Sequence, residues 1–139
     1  MLLGACAGRV PIPHPVLLAA RELARLHAAH IENAGALSCA RSQHIRDIDR
    51  WVADEIPAPV SAAYLHTETV GMVVDRIARL SAVVHAGERG GHHEAELPRM
   101  WQALSELAIG YGDLAFEVGQ RTRRLPSFPG RIRGDVRDA

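Results

Sequence analysis

His66 to Leu80 reads HTETVGMVVDRIARL, and its spacing decides the fold. At ~3.6 residues per turn Val70, Val73, Val74, Ile77, Leu80 and Val84 form one apolar stripe. Glu68, Gly71, Met72, Asp75 and Arg79 form a second stripe, which puts acid on a face close to the core. The segment lies between a proline break (Pro57, Pro59) and a glycine break (Gly87, Gly90, Gly91), so the spacing predicts a helix from about His66 to Ala86.

Three further helical segments follow from the same reading. One begins at Pro15, a residue suited to the first helical position because its missing N–H would go unpaired there, and runs to about Asn33. Its inner stripe is Ala19, Leu23, Leu26, His30 and Asn33, with His27 beside it. The next spans Cys39 to Glu55, stopped by Pro57 and Pro59, with Ile45, Ile48, Val52 and Ile56 inward and Arg41 and Asp49 on the Ile45 side. The last runs from Glu96 to Arg124, with Met100, Leu104, Leu107, Tyr111, Leu114 and Val118 on one stripe. A small-residue stripe of Ser105, Ala108, Gly112, Ala115 and Gly119 invites a neighbouring helix to approach closely. Four helices with short connections predict an all-α, antiparallel up-down four-helix bundle over 15–124, with an N-terminal arm (1–14) and a disordered tail (125–139). No strand alternation is present.

Composition excludes several function classes. A chain of 139 residues buries roughly two-thirds of its unfolded surface, enough for one core. Hydrophobic residues make up 47% and aromatic residues only 4%, which favours helices. The net charge is +0, so no basic field points to nucleic acid or an anionic membrane, and no apolar run nears the ~20 residues needed to span a bilayer. All 16 cationic Lys-or-Arg residues are Arg. Without a lysine amine, Schiff-base chemistry and a phosphate-binding P-loop are excluded. Cys6 and Cys39 make neither a zinc motif nor a disulfide framework, which points to a reducing cytoplasm. Leu3-Gly4-Ala5-Cys6 looks like a lipoprotein cleavage box but lacks the charged and apolar regions that precede one.

The segment Glu68-Thr69-x-Gly71-x-x-Val74-Asp75-Arg76-Ile77 resembles the signature E-T-x-G-x-x-[IV]-D-R-[LI] of a bacterial family, the domain of unknown function 4254. Arg41 with Ile48-Asp49 resembles that family's R-N-D-x-x-E-x-I-D helix, although Ser42, Gln43 and Arg46 stand where the pattern has Asn, Asp and Glu. The resemblance spans about Leu23 to Glu117. It implies a helical fold and no established activity, and the departures imply that any chemistry resting on those three positions is altered here.

The residues suggest acid–base chemistry. Glu68 and Asp75, two turns apart at ~10 Å along a helix, could serve as acid and base, with Gly71 leaving room between them. Equally, Glu68 would favour a helix N-terminus and Asp75 would pair with Arg41 or Arg79 as internal glue. His27, His30 and His66 could meet these carboxylates, or could form a structural hydrogen-bond network. No Glu-x-x-His or HEXXH occurs, so neither a metal nor a cofactor is expected. The leading expectation is a cytoplasmic bundle, set in bacterial specialised metabolism, that binds or transforms a small organic molecule by isomerase-, cyclase- or lyase-type proton transfer. Glu68, Asp75, His27 and His30 are its candidate catalytic residues, and Arg41, Arg76, His66 and Tyr111 its candidate substrate-binding ones. The alternative is a non-catalytic module that homodimerises or docks a partner enzyme through its small-residue face.

Overall fold

A computed structural model of the chain describes residues 1–9, 13–32, 38–90 and 94–127. Its elements in order are α1 (Leu2–Cys6), α2 (Pro15–Glu32), α3 (Ser38–Glu55), β1 (Tyr64–Leu65), α4 (Val70–Glu88), a 3-10 turn (Glu94–Glu96), α5 (Leu97–Gly119) and β2 (Arg123–Arg124). The chain is an all-α bundle, as its apolar stripes require.

The stretch that decides the fold is also its centre, because α4 packs against α1, α2, α3 and α5. Its residues Val74, Ile77, Ser81 and Val84 are among the most deeply buried, together with Leu23 of α2, Ile48 of α3 and Leu104 of α5. The helix starts at Val70, four residues later than the apolar spacing suggests, because Thr69 caps it. Thr69 Oγ1 accepts the Met72 N–H at 3.2 Å, and Asp49 of α3 accepts the Gly71 N–H at 2.7 Å. Two of the four orphan N–H groups of the first turn are thereby satisfied. Glu68 therefore precedes the helix and does not share a helical face with Asp75.

Gly71 is where α3 and α4 touch most closely. A Cβ there would lie 2.4 Å from the Ile45 carbonyl oxygen and 2.9 Å from Asp49 Oδ1. The close approach expected for α5 is absent among the described residues: Gly110, Gly112 and Gly119 have none of them within 4 Å of an added Cβ. Of α5 only Leu104, Leu114 and Val118 are buried.

Both chain ends depart from expectation. The arm is not featureless, because α1 inserts Leu2, Ala5 and Cys6 into the core against α2 and α4. α5 ends at Gly119, not at Arg124. Arg121 then takes a left-handed conformation (φ 64°), its Nε donates to the Ala58 carbonyl at 2.7 Å, and its carbonyl accepts the Val60 N–H at 3.2 Å. This turn lays β2 beside β1 in a two-residue parallel pair, Tyr64 with Arg123 and Leu65 with Arg124. Leu125, expected in a disordered tail, packs on the core; residues 128–139 of that tail lie outside the described residues, as do the His92-His93 pair and Asn33.

Candidate functional site: a buried aspartate cluster

Asp75 sits on the second turn of α4 and is 4% exposed. Its carboxylate is shared by two other helices. His27 of α2 brings Nε2 to 2.9 Å from Oδ1. Arg41 of α3 donates Nε to both oxygens, at 2.9 and 3.0 Å, and Nη2 to Oδ2 at 2.6 Å. The register of α3 against α4 makes this possible. Ile45 and Asp49 meet Gly71, and one turn further along each antiparallel helix Arg41 meets Asp75.

The charge state follows from the partners. Burial alone pushes the Asp75 carboxyl up, but hydrogen bonds from His27 and Arg41, together with the guanidinium charge, outweigh it and hold the group below the ordinary carboxylate range. The hydrogen bond to Asp75 in turn raises Arg41. An ionised carboxylate only accepts, so His27 must present Nε2–H to it. Arg41 is not sealed in. Its side chain is 41% exposed, against 6% for His27 and for Asp75, so the guanidinium joins the buried pair to the surface.

The other candidates fall elsewhere. Glu68 forms an ion pair with Arg76, an exposed residue one position beyond Asp75, and His66 folds back on the Glu68 main chain with Nδ1 2.8 Å from its carbonyl oxygen. These three make a separate surface group. His30 is exposed on the last turn of α2, although its spacing suggests an inner stripe. Tyr111 is half-buried on α5 against the core, its hydroxyl pushed up by burial. Of the eight candidates, His27, Arg41 and Asp75 converge. Among the described residues no three His, Cys, Asp or Glu side chains are grouped to hold a metal, and no helix is long and apolar enough to cross a membrane.

One role escaped the sequence reading. Asp49 caps α4 across the α3–α4 contact, although its place beside Ile45 had put it on the correct side of α3. A broad groove of about 1130 Å³ also runs beside this contact, lined by α3, the loop 57–59, the start of α4 and residues 123–127; His27, Arg41 and Asp75 are not among its lining residues.

Comparison with known proteins bears on this geometry. No curated protein and no solved structure is found to match the chain. The family described as "Protein of unknown function (DUF4254)" matches residues 25–127, a stretch that starts in α2 just before His27 and takes in Arg41, Asp75 and the groove through Ser127. With about three-quarters of its length matched, the chain belongs to the DUF4254 family.

Proposed function

We propose that this protein binds a small organic anion at Arg41 and moves a proton on it through His27, without a cofactor. A single observation carries the reading: one buried aspartate holds both an imidazole and a guanidinium that reaches solvent. Asp75 is then a positioning residue. It fixes the His27 tautomer, which leaves Nδ1 to take up or return the proton, and it presents the remaining Arg41 N–H groups to a carboxylate or phosphate. Glu68, tied to Arg76, is left out of the proton transfer. An isomerase-, cyclase- or lyase-type step needs only such groups, and the bacterial cytoplasm remains the proposed setting.

The test is a thermal-shift screen of small carboxylates and phosphate esters on the full chain. A ligand of this class should stabilise the wild type and lose its effect in Arg41→Ala, while Arg76→Ala keeps it. Equal stabilisation of Arg41→Ala and wild type would refute the assignment.

A second reading, self-association through α5, is favoured by Ile109 and Phe116, which are 67% and 68% exposed one above the other on the helix whose glycines meet nothing among the described residues. Light scattering on eluting protein should then give a dimer mass that falls to the monomer in Phe116→Glu.

A further inference from the structure

The groove beside α3 is a site of a different kind from the aspartate cluster. Its lining residues on α3 run from Ser42 to Ala53, which at 1.5 Å per residue is about 17 Å of helix. Its volume, about 1130 Å³, lies just above the usual range of about 300–1,000 Å³ for small-molecule sites. Ile45, Val52, Ile56, Leu65, Met72 and Leu125 give it an apolar lining, and Leu65 and Met72 are exposed as the groove stands open.

Its charges are one-sided. Arg46, Arg123 and Arg124 line it, and Asp49 is the carboxylate that joins them. Asp49 is engaged with the Gly71 N–H, and Arg123 is neutralised by Glu117 at 2.7 Å. Arg46 donates to the neutral Gln43 amide, and no carboxylate among the described residues pairs with Arg46 or Arg124. An elongated apolar trough with two uncompensated guanidiniums complements a molecule with an extended apolar body and an anionic head.

We propose that this groove binds an amphipathic organic acid, an acyl chain ending in a carboxylate, with the chain along α3 and the head at Arg46 and Arg124. The site is independent of Arg41 and of the proton-transfer reading.

Calorimetric titration of the full chain with octanoate, decanoate and dodecanoate, each below its micelle concentration, tests it. Saturable binding should tighten roughly tenfold with each pair of methylenes. Decyltrimethylammonium should bind more weakly than the carboxylate of matching length. Arg46 and Arg124 are both exposed, so the double variant Arg46→Ala/Arg124→Ala should fold and lose about 5- to 30-fold in decanoate affinity. Ala53→Trp, an exposed change that fills the trough, should abolish binding. No saturable binding, equal binding of the cation, or full affinity in the double variant or in Ala53→Trp would each overturn the proposal.

Discussion

Arg41 grips Asp75 across the α3–α4 interface with Nη2 at 2.6 Å and Nε at 2.9 and 3.0 Å, so a guanidinium on one helix fixes a carboxylate that the next helix buries. Removing one partner of such a pair leaves an uncompensated charge. Asp75→Ala should cost about 3 kcal/mol, the low end of the range for buried pairs because Arg41 is partly solvated. Replacing all three groups with apolar residues of similar size, His27→Leu/Arg41→Met/Asp75→Leu, should recover most of that stability. Urea unfolding of the single and triple variants measures both. If the triple variant is stable but no longer binds the anions that stabilise wild type, the cluster is kept for function and not for folding.

Acid should unfold the protein partly through Asp75. Its folded pKa is depressed, so the stability it contributes is fully present above its unfolded value of about 3.9 and is lost as pH falls through the folded value. The stability gap between wild type and Asp75→Asn should therefore stay constant from pH 7 to about pH 5 and close below about pH 4. Urea midpoints measured across that range check it; a gap that widens in acid would mean the carboxyl is raised, not lowered.

Gly71→Ala reverses the usual rule for helices. An alanine normally gains about 1 kcal/mol over glycine in a helix interior, and Gly112→Ala should show a gain of that order because no described residue lies within 4 Å of its Cβ. At position 71 the Cβ would overlap the Ile45 carbonyl, a backbone atom that cannot swing aside, and the variant should lose about 2–3 kcal/mol. Comparing the two by thermal unfolding makes each the control of the other.

The two thiols should react at very different rates. Cys39 is exposed, whereas Cys6 is buried and its thiol is pushed up to about 11. A disulfide reagent at pH 8 should label one thiol quickly and the second only on unfolding. Fast labelling of both would mean that α1 does not stay docked.

Much of this architecture can be read from the sequence, for identifiable reasons. α2, α3 and the body of α4 carry apolar residues at helical spacing over several turns, and such a stripe has to be buried. α1 is five residues long, too short for a period to show; what holds it is contact with α2 and α4. The end of α5 turns on a left-handed arginine, a conformation usually signalled by glycine, and Gly119 is one of three glycines in the helix, so its place does not single out the stop. The start of α4 is legible only in part: Thr69 is a capping residue type, but Glu68 also fits the stripe behind it, so the pattern alone does not choose between them. Asp75 with Arg41 or a histidine was within reach of pattern reasoning. Choosing Arg41 over Arg79, and His27 over His30, depends on which helix faces are in contact, and these partners are 34 and 48 residues away in sequence. The groove was invisible because its walls come from α3, the α4 cap and a segment read as tail.

The account rests on Asp75 being ionised and holding the Nε2–H of His27. Long-range nitrogen–proton correlation spectra of labelled protein near pH 7 report the state of each ring nitrogen directly. His27 should show a protonated Nε2, and Asp75→Asn should lose that preference. A bare Nε2, with the proton on Nδ1 alone, would contradict the account, because Asp75 would then have to carry a proton of its own.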